Sequence, residues 1–316
     1  MQSFRTNDRI TLKYIDTEFA CEFNTTKPLL ILIHGFTGSS LVWSRNIDAL
    51  SKSYRVIAPD LRGHGESDKP QSGYHVSRLA MDLKELLLHL VEREQELADL
   101  PAKAIVGSLG CAVLWSYAEL FTTKPFTHMV WVDQSPLQNS TLDGWDSCYC
   151  NRGMNSAPAL ARLQTTLSLA PEIAHKGTIA ACLSYRSHPS ISDNVSRETW
   201  EADESFFLAL AMKGDHGWFG KLMADHTSLD WRDSIKSNYG PGSGSATKVL
   251  VLASTKSGCF PAEGPLKAVE FINGTGNDDG SGDGLATGLA VNFGGHWCYW
   301  ENPNSFNELC LDFLGQ

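Results

Sequence analysis

Nothing in this 316-residue chain is apolar for long enough to cross a bilayer, and the opening MQSFRTNDRITLKY holds no apolar stretch of a secretory signal. The expectation is a cytoplasmic chain with no membrane partner. Lys/Arg-rich runs are also missing and the formal net charge is -10, so the electrostatic footprint of a nucleic-acid binder is absent. Hydrophobic residues at 42% and charged residues at 20% exclude a largely disordered chain. Internal repeats are lacking. The eight cysteines (Cys21, Cys111, Cys148, Cys150, Cys182, Cys259, Cys298, Cys310) are scattered through a chain too large to need staples, so reduced thiols are expected. Cys148 and Cys150 form a C-x-C pair with no second pair and no histidine at ligand spacing, so no metal is expected there. The Asn273 to Gly284 stretch, NGTGNDDGSGDG, lacks the acidic spacing and closing Glu of a calcium loop and reads as a solvated surface loop. No cofactor is implied.

What is present is an alternation of buried strands and helices. Lys27 to Ile33 (KPLLILI) and Tyr54 to Ala58 (YRVIA) are short apolar runs of the kind buried in parallel sheets. Trp43 to Leu50 and Val76 to Leu90 between and after them have helical spacing. Strands at Lys103 to Val106 and Met129 to Val132 follow, separated by a helix from Gly110 to Phe121. Later strands are expected at Lys248 to Ala253 and within Leu285 to Phe293. This order predicts an α/β protein with a mostly parallel central sheet flanked by helices. From Leu137 to about Ile235 helical segments such as Ala157 to Ala170 and Trp200 to Met212 follow one another without a strand. The expected organisation is therefore a core of residues 1-136 and 237-316 with an inserted helical lid at 137-236, closed by the flexible Tyr239 to Ser245 linker.

Four segments carry chemistry: His34-Gly35-Phe36-Thr37-Gly38 after the first apolar strand, Asp60-Leu61-Arg62-Gly63-His64-Gly65-Glu66-Ser67 after the second, Gly107-Ser108-Leu109-Gly110-Cys111 between a strand and a helix, and Gly295-His296-Trp297 with Glu301-Asn302-Pro303 after the last strand. Together, in this order and spacing, they resemble the α/β-hydrolase family along nearly the whole core. A serine hydroxyl is a poor nucleophile at its free pKa and needs exposure on a sharp strand-to-helix turn beside a base. Ser108 occupies such a turn. Two residues before it stands Val106 where the family's G-x-S-x-G pattern has glycine, so the turn reads as one residue short. Cys111, one turn into the helix, reads as a small packing residue. His296 is the histidine placed for the base.

The resemblance puts the triad's Asp shortly after the Lys248 to Ala253 strand, but Ser257 stands there. Asp133, directly after the preceding core strand, is therefore expected to orient His296, with Glu263 in reserve. The resemblance also implies an oxyanion hole from the backbone amides of Phe36 and Leu109. Lid residues Trp145, Trp218 and His226 are expected to contact substrate, with Phe206 and Met223 as further apolar lining. The implied activity is hydrolysis of a small or medium lipophilic carboxylic ester or lactone through an acyl-enzyme, by a cofactor-free serine hydrolase (carboxylesterase or lactonase). A receptor-like small-molecule-binding protein of the same fold, or a C-C bond hydrolase using the same serine, is the alternative. Haloalkane dehalogenases and epoxide hydrolases of this superfamily carry Asp where Ser108 stands. Neither the oligomeric state nor the natural substrate follows from these residues.

Overall fold

The computed structural model describes residues 1–19, 27–95, 97, 101–188, 195–274 and 284–316. Most of the Asn273 to Gly284 stretch, and Cys21, lie outside them. Eight strands form one sheet in the order β1-β2-β4-β3-β5-β6-β7-β8. They are β1 (Gln2–Arg5), β2 (Thr11–Asp16), β3 (Leu29–Ile33), β4 (Arg55–Pro59), β5 (Ala102–Gly107), β6 (Phe126–Val132), β7 (Lys248–Ser254) and β8 (Ala286–Val291). From β4 to β8 all neighbours are parallel, while β1 and β2 add an antiparallel edge. The central strands β3 and β4 are buried at every position, as helices on both faces require.

Helices α2 (Val76–Arg93), α3 (Leu109–Leu120) and α10 (Glu263–Asn273) cover one face, where Leu79, Leu83, Val113, Trp115, Ala268 and Ile272 pack against the sheet. The short α1 (Ile47–Leu50) and the C-terminal α12 (Pro303–Leu314) cover the other, with Leu50, Phe306 and Leu314 against Leu30, Val56 and Ile105. The helix expected over Trp43 to Leu50 is instead a 3-10 turn, Ser40–Trp43, followed by α1. Asn46 interrupts it, because its side-chain amide donates to the Tyr299 carbonyl (3.0 Å) and to Asn307 (2.9 Å) of the C-terminal segment.

Between β6 and β7 residues 133–156 are turns and loop, and every regular element of the described residues after them is a helix: α4 (Ala157–Leu169), α5 (Pro171–Cys182), α6 (Ser184–Ser187), α7 (Arg197–Ala211), α8 (His216–Ser228) and α9 (Arg232–Tyr239). Short α11 (Cys298–Glu301) precedes α12. The insert rests on the core through Tyr74 stacked on Trp218 (5.2 Å), Lys213 paired with Glu66 (2.5 Å) and Asp225 accepting from the Val76 amide (2.8 Å). Among the described residues no helix is long and apolar enough to cross a membrane.

After β3 the chain steps out to β4 and then returns to the other side of β3 for β5. A reversal of this kind leaves a crevice at the carboxyl ends of the two strands. The segments that follow β3 and β5 meet there: a Cβ built on Gly35 lies 3.0 Å from that of Ser108 and 3.3 Å from the Gly107 carbonyl.

Candidate active site

Ser108 stands alone between the last residue of β5 and the first of α3, with φ 53° and ψ -121°. The turn is complete. The expectation of a shortened elbow is corrected: Gly107 ends the strand, and the room needed beside the serine comes from Gly35 and Gly110. A Cβ on Gly110 would come within 2.8 Å of the Ile33 carbonyl, so the helix packs on β3 only with glycine there. Cys111 is fully buried against the carbonyls of Val106 and Val132, as a packing residue is. A non-glycine residue at positive φ is strained, and strain of this kind persists only where surroundings over-determine it. Of the four such residues in the described chain, Thr37, Ser108 and Asp133 all lie at the carboxyl ends of the central strands.

Asp133 follows β6, fully buried at φ 51°. Its amide continues the ladder to the Leu252 carbonyl (2.8 Å), its Oδ1 accepts from the Ser254 amide (2.9 Å), and its Oδ2 lies 2.7 Å from His296 Nδ1. The loop carrying His296 is held as well: the half-buried Glu301 accepts from the Gly295 amide (2.7 Å) and from the Ser184 amide and hydroxyl. Burial raises the Glu301 carboxyl pKa against those donors. Glu263, by contrast, sits at the exposed start of α10. Ser257 caps its own loop, its hydroxyl accepting from the amides of Cys259 and Phe260 (both 3.1 Å).

The turn that carries Phe36 is fixed by a buried polar network. Leu61 N–H donates to His34 Nε2 (3.0 Å), which leaves the proton on Nδ1 to donate to the Gly35 carbonyl (2.7 Å). Asp60 accepts from the Ser40 and Glu66 amides, each at 2.7 Å. Gly65, at φ 49°, leaves room for that carboxylate; a Cβ would sit 2.2 Å from its Oδ2. Arg62, wholly buried, binds Asp82 and Asp8 in paired hydrogen bonds. Neither the Phe36 nor the Leu109 backbone N–H finds an acceptor among the described residues.

Ser108, Phe36, Gln134, Gln138, Asn151, Met223, His226, Cys259 and His296 surround one narrow cavity of ≈ 40 Å³. That holds one or two water-sized groups. A hollow of ≈ 410 Å³ lies elsewhere, among residues such as Leu87 and Leu88 of α2, Tyr117 of α3 and Ala102 of β5, but volume does not mark a site and no convergent polar chemistry lines it. Two of the three substrate contacts expected from the insert are corrected. Trp145 packs on Tyr149 and Phe271, and Trp218 stacks on Tyr74, its indole N–H donating to Gln71. The Trp145 ring is engaged by two other rings, and the Trp218 ring by Tyr74 and by the Lys221 ammonium, 3.7 Å from its centroid. Phe206 likewise stacks on Trp300. His226 does line the cavity, its Nδ1 without a partner, and burial lowers its pKa to about 4.

The side chains that sequence reasoning missed are Gln134, Cys182 and Cys259. Ser108 Oγ donates a long hydrogen bond (3.5 Å) to Gln134 Oε1, and among the described residues no hydrogen bond joins it to His296. Cys182, at the end of α5, lies 3.7 Å sulfur to sulfur from Cys259. The Cys182 contact and then the His296 charge pull the Cys259 thiol down to about 6 against burial. Burial disfavours the His296 imidazolium, but the Cys259 thiolate and the Asp133 carboxylate raise its pKa to about 10. No periodicity signals an isolated cysteine in a loop, so only the folded chain reveals this neighbour.

The model of the α/β-hydrolase fold matches residues 28–155. Over its full length the structure superposes on an esterase from Exiguobacterium antarcticum (TM-score 0.78, 15% identity, 100% of this chain and 99% of that one). It superposes equally completely on an enol-lactonase from Burkholderia xenovorans LB400 (TM-score 0.73, 16% identity, 100% of both chains). This chain is an α/β-hydrolase-fold protein. A soluble epoxide hydrolase from Corynebacterium sp. (strain C12) is 46% identical over 61 residues, 19% of this chain and 21% of that protein. The chain thus matches only about a fifth to a quarter of the length of such curated relatives.

Proposed function

We propose that this α/β-hydrolase-fold protein hydrolyses a small carboxylic ester or lactone through an acyl-enzyme on Ser108. The observation that carries the reading is the buried Asp133–His296 hydrogen bond, 2.7 Å, at the same cavity as a serine held at φ 53°. Ser108 attacks the carbonyl, neutral His296 accepts its proton through Nε2, and Asp133 fixes the tautomer and stabilises the imidazolium. The helix N-terminus and the two unengaged amides of Leu109 and Phe36 face the developing oxyanion, each such donor contributing about 3 kcal/mol in the transition state. Water then releases the acyl group. Ser108 in place of an aspartate separates this reading from epoxide hydrolysis, the activity named for the Corynebacterium relative.

The cavity narrows the substrate relative to the lipophilic class expected from sequence: it is small, and Gln134, Gln138, Asn151 and His226 make part of its wall polar. Larger acyl groups enter only if the 137–236 insert acts as a lid, moving the α8 residues Met223 and His226. One observation favours a second reading, a small-molecule-binding protein with little catalysis. The charge-assisted partner of His296 is Cys259, and a histidine already protonated by a thiolate is a poor base. A series of nitrophenyl esters from acetate upward, with γ- and δ-lactones, separates the two. The hydrolase reading predicts turnover that falls with acyl length and is lost in Ser108→Ala. Ligand-induced stabilisation without turnover in the wild type sustains the binding reading instead.

A further inference from the structure

Three chain segments that are distant in sequence converge on Cys182, Cys259 and His296, and glycines let them close. Gly258 N–H donates to the Ala181 carbonyl (3.1 Å), and Trp297 N–H donates to the Cys182 carbonyl (3.3 Å). A Cβ on Gly258 would fall 2.5 Å from the Ala181 carbonyl, and one on Gly295 would fall 2.7 Å from that of Cys182. The end of α5, the loop after β7 and the loop after β8 are thereby locked together. One ligand atom from each of the three side chains lies within 4.8 Å of the other two.

We infer that Cys182 Sγ, Cys259 Sγ and His296 Nε2 form a three-ligand site for a thiophilic divalent cation of the zinc class, and that its occupancy takes His296 from Ser108. The sulfur spacing carries the geometry. Two thiolates on a tetrahedral zinc, each about 2.3 Å from it, stand about 3.8 Å apart, and the observed separation is 3.7 Å. A disulfide would need about 2.0 Å, and both cysteines are free. His296 presents Nε2 because Asp133 engages Nδ1 at 2.7 Å, the carboxylate–histidine arrangement that orients metal-ligating imidazoles. Two thiols lose their protons to solvent on binding, so the charges of the ion and the two thiolates cancel within the buried cluster. A water or ligand from the adjoining cavity completes four-coordination, as at metal sites with an open position. The blocking role rests on the serine-hydrolase reading; the binding site does not.

The experiment uses reduced, chelator-stripped full-length protein carrying Cys148→Ser and Cys150→Ser, which removes the exposed C-x-C thiol at position 148. Zinc is titrated, and X-ray absorption is recorded on the loaded protein. The site predicts one zinc per chain with two sulfurs at about 2.3 Å and a nitrogen at about 2.0–2.1 Å. Cadmium should give a thiolate charge-transfer band that weakens in Cys182→Ser and again in Cys259→Ser, with zinc affinity falling roughly hundredfold or more in the double variant. A shell without sulfur, no binding, or unchanged affinity in the double variant overturns the site. Should the double variant not fold, the absorption spectrum of the protein with both ligand cysteines decides alone. Ester turnover should fall at least tenfold with zinc and return with chelator. Turnover unaffected by bound zinc overturns the blocking role and leaves the site standing, whereas a protein that turns over no ester still reports binding.

Discussion

Asp133 is held on both oxygens, by the Ser254 amide and by His296, and has no freedom to serve another partner. Replacing it with Asn keeps the shape and the Ser254 contact but removes the charge that stabilises an imidazolium. Asp133→Asn is expected to lower kcat roughly 10³- to 10⁴-fold, while exposed Glu263→Gln stays within about twofold of wild type; steady-state kinetics on a nitrophenyl ester checks both. Losses of similar size in the two would assign the acid wrongly. Ser108 and Asp133 stood out as candidates in the sequence because each directly follows an apolar strand, and His296 because it lies in the loop after the last one. Their neighbours did not. Gln134, Cys182 and Cys259 are brought beside them by the loop after β6, the end of α5 and the loop after β7, and no spacing along the chain encodes that. The aromatic residues Trp145 and Trp218 misled for the opposite reason: large apolar side chains suggest a pocket wall, but each found a ring to stack on instead.

At the level of the element, the turn after β4 connects sequence to site geometry most closely. Its Asp60 carboxylate and His34 imidazole hold the β3 turn that offers the Phe36 amide. Gly65→Ala pushes a methyl to 2.2 Å from that carboxylate at a backbone angle that disfavours it. The expected cost is about 2–4 kcal/mol in urea unfolding, accompanied by a fall in kcat. Gly177→Ala in α5 is the control: nothing lies within 4 Å of its Cβ position, so stability should be unchanged or rise by up to about 1 kcal/mol. The parallel strands β3 to β7 were readable as uniform apolar runs. The edge strands β1 and β2 escaped notice because QSFR and TLKYID are short, mostly polar and only partly buried. Their pairing is decided by β4, which offers an open edge, rather than by their own composition.

Across the whole molecule, five histidines are buried in surroundings that favour the neutral ring. Burial lowers His128, His175 and His226 each to about 4, and depresses His34 and His64 as well. In the unfolded chain these groups take up protons near their ordinary value of about 6.5. The unfolded state therefore binds more protons below that pH, so stability is full above about 6.5 and is lost as pH falls toward 4. His296, shifted upward, works the other way: its contribution is full below about 6.5 and is lost as pH rises toward 10, so this one ring offsets part of the step between pH 7.5 and 5.5 without reversing the sum of the five. Urea midpoints at pH 7.5, 5.5 and 4.5 should decline in that order, by on the order of a few kcal/mol in all; equal midpoints would show that these rings protonate without penalty. The same scale holds the central claim, because Ser108, His296 and Asp133, the proposed nucleophile, base and acid, follow β5, β8 and β6 and are brought near one another only in the completed fold. Treatment with a fluorophosphonate followed by peptide mass spectrometry tests it most directly. One adduct per chain is expected, on Ser108, absent in Ser108→Ala and in unfolded protein; no adduct, or an adduct on Cys259, would contradict a Ser108 nucleophile.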